Sequence, residues 1–377
     1  MTRRRRVLLL FGGRSAEHDV SRVTAAAVAG ALDPDRYEVV PVAITTEGRW
    51  LLASEARAAL EAGRDALPAE FRVEGAPVTE APDPAEPALV PLDRDAADAP
   101  APTDVDVELP LLHGPYGEDG TVQGLFELAD LPYVGAGVLG SALAMDKRAM
   151  KAAFAAAALP HARWLAFRDG HDARAFADRV GTEFGYPCFV KPANMGSSVG
   201  VSKAHDRREL DDAIVAALDY DEWILAEEAI VGREIEVGIL GDDPPEASVP
   251  GEVVPGAELY TYADKYEDDA VQLLTPAPLS DAQTTKVRAL AVQAFEACCG
   301  EAMARVDFFL NEDRGFLVNE VNTIPGFTPA SQYPRMWAAS GVDYAALLDR
   351  LIDLAVARHD RRARRAGRQR GATPLTG

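Results

Sequence analysis

Val7 to Phe11 is an unbroken apolar run that closes in Gly12-Gly13, the pattern of a parallel strand buried on both faces. Ser21 to Leu32 follows with alanine-rich helical composition, and Tyr37 to Ile44, rich in β-branched residues, predicts a second strand. Strand, helix and strand in that order predict a βαβ opening, hence a parallel sheet covered by helices. Periodicity then fades from Ala58 to Pro102, where Ala, Pro, Asp and Glu dominate. That composition predicts a loop-rich surface insertion holding a short hairpin. Val105 to Leu112 restores a strand and runs into His113-Gly114-Pro115-Tyr116-Gly117-Glu118-Asp119-Gly120.

Further along, Asp146 to Ala158 predicts a helix, and Pro187 to Pro192 a strand that enters the loop Asn194 to Gly200. A helix near Arg208 to Leu218 precedes a strand at Trp223 to Glu227. The last third alternates strands (Glu234 to Leu240, Arg305 to Leu310, Gly315 to Glu320) with helices (Asp281 to Cys298, Asp343 to Arg358). Boundaries are expected near residues 135 and 227, dividing the chain into 1–135, 136–227 and 228–357. Residues 358–377 form an arginine-dense end, expected to be a disordered or frayed tail.

Composition narrows the classes. The chain has 377 residues, 48% hydrophobic and 26% charged, which suits two or three packed units of an ordinary globular protein. No apolar run approaches the ~20 residues that span a bilayer, so no membrane insertion is expected. The run behind Arg3 to Arg6 is too short for a secretory leader, and a cytoplasmic protein is expected. A net charge of −22 argues against a nucleic-acid partner, because phosphate neutralisation needs a basic face. Cys188, Cys298 and Cys299 offer neither a disulfide framework nor zinc-ligand spacing and read as small buried side chains.

Two constellations carry candidate chemistry. Lys191 and the glycine-serine loop to Gly200 can wrap a triphosphate, with backbone N–H groups, hydroxyls and one point charge as donors. Alone, such a loop is more often a turn. Arg305 and Asp307 share one face of a strand by the two-residue period, as do Glu320 and Asn322 on the next. If the two strands pair, their oxygens converge as Mg²⁺ held with phosphates requires. Either strand alone reads more simply as amphipathic with a solvated polar face.

Lys147, Lys191 with Gly196-Ser197-Ser198, Glu227 with Glu234, Arg305-Val306-Asp307 and Asn319-Glu320-Val321-Asn322 together resemble the ATP-grasp superfamily. Four further pieces are similar to its D-alanine–D-alanine ligase family. They are Gly12 to Ser21, His113-Gly114 with Gly117 to Thr121, Tyr262 with Lys265-Tyr266, and Asn322 to Thr328. Among only six lysines, Lys147, Lys191 and Lys265 fall where the resemblance places phosphate-binding lysines, positions for which an arginine fork is a poor substitute.

The resemblance implies a mixed α/β protein with the ATP-grasp fold and an N-terminal Rossmann-like parallel-sheet domain that helps bind substrate. The implied activity is ATP-dependent ligation of two D-alanines through an acyl phosphate, for peptidoglycan precursor synthesis, by a homodimer. Lys147, Lys191, Ser197, Ser198, Glu227, Ile230, Glu234 and Lys265 would bind ATP. Glu227 would take the adenine amino group and Glu234 the ribose, although both also read as ordinary strand carboxylates. Asp307, Glu320 and Asn322 would hold two Mg²⁺ (or Mn²⁺) ions, and Arg305 with the Gly326 N–H would steady the acyl phosphate and the oxyanion. Glu17, with Ser197 and Tyr266, would bind the first ammonium and close the site. His113 would line that pocket, and Ser331 with Lys265 would receive the second carboxylate. Met195 and Ala229 stand where family members carry bulkier or polar residues, which touches local contacts only. Two rivals remain: a different second substrate such as D-lactate, against which the Tyr266 lid argues, and a nucleotide-binding module without catalysis.

Overall fold

A computed structural model describes residues 3–85, 88–92, 101, 103–254 and 272–365. The first sheet is built on β1 (Arg5–Gly12), β2 (Tyr37–Ile44), β3 (Trp50–Ala53), β4 (Gly75–Glu80), β5 (Leu89–Pro91) and β6 (Val107–Pro110), in the order β5-β4-β3-β2-β1-β6. β1 pairs parallel with β2 and β6. Its apolar run is unbroken because both faces are covered: Val7, Leu9 and Phe11 enter one core, while Leu8 and Leu10 enter another. The sheet's helices are α1 (His18–Ala31), α2 (Ser54–Ala62) and α3 (Thr121–Ala129). Ser21 fixes α1 to the strand ends, accepting from Gly12 N (2.8 Å) and donating to Leu111 O (2.5 Å). Gly12 has φ +86°, and a Cβ there would lie 2.3 Å from Ile44 O, so the turn after β1 admits only glycine.

The expected insertion is less peripheral than its composition suggests. β4 and β5 are the predicted hairpin, and they extend the sheet while contributing Val78 and Leu89 to its second core. Alternation over so few residues, interrupted by prolines, leaves a weak strand signal.

Helices α4 (Val138–Met145) and α5 (Lys147–Ala156) follow. The second sheet holds β7 (Trp164–Arg168), β8 (Cys188–Pro192), β9 (Ser202–Ala204) and β10 (Trp223–Glu228), in the order β7-β10-β8-β9, covered by α6 (Ala173–Glu183) and α7 (Arg207–Leu218). The third comprises β11 (Arg233–Leu240), β12 (Glu246–Ala247), β13 (Gly251–Val254), β14 (Gln272–Leu274), β15 (Met303–Asn311) and β16 (Gly315–Asn322). Its main order is β14-β13-β11-β15-β16. Helices α8 (Asp281–Ala297), α9 (Gln332–Ala339) and α10 (Tyr344–Ala363) complete the described chain.

Two expectations about chain division need correction. Met150 and Phe154 of α5 pack with Ile235, Val306 and Val318 of the third sheet, so 136–227 is not one packing unit. The tail does not begin at 358. The stripe Leu347, Leu348, Leu351, Ile352, Ala355 of α10 lies in the first sheet's core, and Arg358 continues it at helical spacing, 3% exposed. Its guanidinium donates to Gly135 O (2.5 Å) and Tyr133 O (2.7 Å), while Arg362 pairs with Glu127 and Glu301. Arginine density concealed a docking face made of buried stems with paired heads. Residues 366–377 lie outside the described residues.

Arg358→Met leaves two carbonyls without their donor and is expected to lower unfolding stability by about 2–4 kcal/mol. Denaturant titration checks this, and a loss below ~0.5 kcal/mol, the level of an ordinary surface change, contradicts it.

Glu80 and Glu108 are 3% and 0% exposed, and their carboxyls face each other with no N–H donor to either. Burial raises Glu80 to about 8 and Glu108 well above its ordinary value, the latter also through the charge of Glu80. The native pair therefore keeps protons at neutral pH that the unfolded chain releases above about pH 4.5. Stability should fall as pH rises from there through about 8. Thermal unfolding of the Glu80→Gln, Glu108→Gln double variant should show a flatter dependence between roughly pH 5 and 9; a slope equal to that of the native chain contradicts the assignment.

Candidate active site

Most of the expected residues lie on β8, β10, β11, β15 and β16, at the start of α5, and on the loops between these elements. β15 and β16 pair antiparallel, as expected, with Asp307 opposite Glu320 and Arg305 opposite Asn322. A register shift after Asp307 leaves Asn319 as an extra residue, and such bulges re-aim the side chains beyond them. β11 flanks the other side with Glu236 opposite Asp307. Glu236, Asp307 and Glu320 thus stand in one row across three strands.

Arg305 offsets that charge. Its Nε and Nη2 donate to Asp307 Oδ1 and Oδ2 at 2.7 and 2.8 Å, and Nε lies 3.2 Å from Glu236 Oε1. Burial opposes the guanidinium charge, but Asp307 and Glu236 outweigh it and hold its pKa well above the ordinary value. Asn322 Nδ2 donates to Asp307 Oδ2 at 2.9 Å. Among the described residues no group of three acidic, histidine or cysteine side chains converges as a ready metal cage. The oxygens of Asp307, Glu320 and Asn322 are nevertheless hard donors suited to Mg²⁺ shared with phosphate. The donor set fits a divalent cation once Arg305 turns from Asp307.

Beside this row lies a buried cluster of the opposite balance. Glu227 of β10 accepts from Lys191 Nζ of β8 at 3.0 Å and lies 3.3 Å from Lys151 Nζ of α5. Burial would raise Glu227, but the two ammoniums depress it to about 2. Burial also works against Lys191, yet Glu227, Glu320 and Glu234 together raise it, which brings the nucleotide candidates and the carboxylate row into one field. Lys147, the first residue of α5 after the Asp146 N-cap, donates to Met195 O at 2.6 Å. In the loop after β8, Ser197 and Ser198 have φ +49° and +59°, a conformation that non-glycine residues adopt at a cost and that concentrates at functional loops. Ala229 and Ile230 lie half-buried in the link from β10 to β11.

The first sheet reaches the same place. A Cβ on Gly196 would lie 3.5 Å from Glu17 Oε2, and one on Gly114 3.7 Å from it, so the Glu17 carboxylate rests against both glycine loops. Glu118 accepts from Gly114 N (2.8 Å) and Ile324 N (2.9 Å), and His113 Nδ1 meets Ile324 O at 3.0 Å. His113 Nε2 is buried with no hydrogen-bond partner. Ser331, the residue before α9, directs its hydroxyl to Thr328 rather than into the helix; a Cβ on Gly326 would lie 3.3 Å from it. Tyr262, Lys265 and Tyr266 lie outside the described residues.

Sequence reasoning missed Lys151 and Glu236 and gave Glu118 no role. Lys151 follows Lys147 by one helical turn, and Glu236 shares a strand face with Glu234, so both spacings were available.

Residues 6–136 match the family "D-ala D-ala ligase N-terminus", and residues 153–353 match "D-ala D-ala ligase C-terminus". The chain belongs to the D-alanine–D-alanine ligase family. Ligases of that name from Geobacillus thermodenitrificans and an Arthrobacter species are 46% and 48% identical. The alignments cover 94% of this chain in each case, with 96% and 94% of the relatives. The D-alanine–D-alanine ligase structure from Coxiella burnetii superposes with TM-score 0.81 at 33% identity, covering 95% of this chain and 96% of that one. The VanG D-Ala:D-Ser ligase from Enterococcus faecalis superposes with TM-score 0.81 at 30% identity, covering 94% and 100%. The fold is the expected ATP-grasp arrangement of this ligase family, with a Rossmann-like first sheet.

Burial raises Glu118 to about 7, helped by the Glu17 charge and opposed by His113 and the two backbone N–H groups. Glu118→Gln turns an NH₂ toward one of those N–H groups and breaks the link between the first and third sheets. The expected outcome is a fall in kcat/KM of at least about tenfold, ~1.4 kcal/mol, with loss of an inflection near pH 7 in the rate profile. Near-native rates with an unchanged profile contradict it.

Proposed function

We propose that this chain joins two D-alanines into D-alanyl-D-alanine, converting ATP to ADP and phosphate, as a step in peptidoglycan precursor synthesis. The observation that carries the reading is the row Glu236, Asp307, Glu320 beside the Lys191–Glu227–Lys151 cluster, in a chain that matches the ligase family in both halves. A non-catalytic nucleotide-binding module has no need of that row with Arg305 across it.

A carboxylate resists amines because its leaving group would be oxide, so it must first be phosphorylated. In this reading Glu17 holds the ammonium of the first D-alanine, and an oxygen of that D-alanine's carboxylate attacks the γ-phosphorus, releasing ADP. Lys147 and Lys191 hold the phosphates, and Ser197 and Ser198 close over them. Glu227 accepts from the adenine amino group, Ile230 packs beside the base and Glu234 takes the ribose. Asp307, Glu320 and Asn322 would hold Mg²⁺ or Mn²⁺, which would supply positive charge to spread that of the phosphoryl group. Arg305 turns from Asp307 to the acyl phosphate, and with the Gly326 N–H steadies the oxyanion formed when the second amine attacks. The amine must be neutral to attack; phosphate then leaves and the amide forms. Ser331 and Lys265 receive the second carboxylate beside the start of α9, where the helix dipole favours an anion. His113 lines the first pocket, and Tyr266 with Ser197 and Glu17 closes it against water.

The same reading makes the chain a cytoplasmic homodimer composed of a substrate domain near 1–135 and two ATP-grasp portions. No described helix is long and apolar enough to cross a membrane.

Mass analysis of protein with ATP, Mg²⁺ and D-alanine, alone and with D-lactate or D-serine in competition, tests the reaction. Dipeptide with one phosphate each is expected; a mixed product as the main species at neutral pH overturns the second substrate. Glu320→Gln should abolish turnover and weaken Mn²⁺ binding while leaving the thermal midpoint near that of the native chain. Near-native rates at limiting Mg²⁺ would sink the metal assignment.

A further inference from the structure

Of the three lysines outside the phosphate positions, Lys203 and Lys286 reach solvent, whereas Lys151 is 1% exposed. An ammonium so enclosed is tolerated only when paired, and burial lowers its pKa while Glu227 works in the opposite direction. Its Nζ lies 3.3 Å from Glu227 Oε1 and 3.5 Å from the carbonyl of Asn319, the extra residue of the β16 bulge. Lys151 therefore sits where α5, β10 and β16 meet.

The two lysines take different oxygens of Glu227. Lys191 donates a hydrogen bond to Oε2 at 3.0 Å. Lys151 lies 3.3 Å from Oε1, so each lysine supports one oxygen of the carboxylate. A carboxylate oxygen supported by one donor keeps a second lone pair for another.

We infer that Lys151 is a positioning residue that fixes the Glu227 carboxylate with a lone pair of Oε1 left for the 6-amino group of a purine, and so sets a preference for adenine over 6-oxopurine nucleotides. The inference rests on the reading of Glu227 as the adenine acceptor. A 6-amino group donates to Oε1, whereas a 6-oxo group sets one oxygen lone pair against another. Without Lys151, the carboxylate is held by Lys191 alone and can turn both oxygens onto it, which removes the acceptor from the base. A cation serving only to stabilise the core would affect unfolding and leave nucleotide choice unchanged.

The test uses the full chain with Lys151→Met and Glu227→Gln, each confirmed as folded by thermal unfolding. Calorimetric binding of ADP and IDP requires no turnover, and kcat/KM for ATP and ITP gives a second ratio. The native chain should prefer the adenine nucleotide by about tenfold or more. Both variants should narrow the preference to about threefold or less, and Lys151→Arg should restore part of it. If Lys151→Met fails to fold, Lys151→Gln supplies the same charge removal with a polar side chain. A native ratio in the neutral Lys151 variant, with the ratio lost in Glu227→Gln, overturns the inference and leaves the adenine reading standing. A native ratio in Glu227→Gln overturns the adenine reading and the inference with it.

Discussion

Like charges directly opposed across antiparallel strands repel, and Glu236, Asp307 and Glu320 are opposed across three. With side chains only about one-tenth exposed at Glu236 and Asp307, water cannot screen the row fully, so cations must. Arg305 supplies one, bound to two of the three carboxylates, and Lys191 and Lys151 feel the field of Glu320 from the adjoining cluster. Substrate chemistry follows from the same constraint. A site that stores excess negative charge favours divalent cations, and cations so placed favour phosphate. In the proposed reaction Arg305 is then released toward whatever anion develops next to it.

The remaining elements hold that row in reach of the first sheet. Glu118 accepts one N–H from the first sheet's loop and one from the loop after β16, and His113 takes the carbonyl of the same Ile324. α10 secures the arrangement from behind, with its apolar stripe in the first core and Arg358 on the carbonyls of Tyr133 and Gly135. Several cores thus converge on a polar seam, as expected for ligand sites between packed units.

Much of this was legible in the chain. β2 was predicted at its observed limits, β1 and α1 within a few residues, and the shared faces of Arg305 with Asp307 and of Glu320 with Asn322 followed from the two-residue period, with the pairing of β15 and β16 as the condition that the structure meets. Features requiring knowledge of what lies opposite were not legible. Glu236 looks like an ordinary strand carboxylate until β15 places Asp307 against it. Lys151 looks like a surface lysine until three elements close around it. The arginines of α10 resemble a solvated tail because composition does not reveal that Leu347, Ile352 and Arg358 share one buried stripe. Glu80 lies in the stretch without periodicity and Glu108, 28 residues on, in the strand after it, and only the fold over the first sheet brings them together.

In the proposed reaction Arg305 and a divalent metal compete for Asp307 at the seam that takes the nucleotide. A crystal structure with Mn²⁺ and a non-hydrolysable ATP analogue tests it most directly, with anomalous scattering locating the metal. The account predicts manganese peaks bounded by Asp307, Glu320 and Asn322, phosphates on Lys147 and Lys191, and the Arg305 guanidinium turned away from Asp307. Nucleotide bound elsewhere, or nucleotide in place with Arg305 still bidentate on Asp307 and no metal beside it, would contradict it.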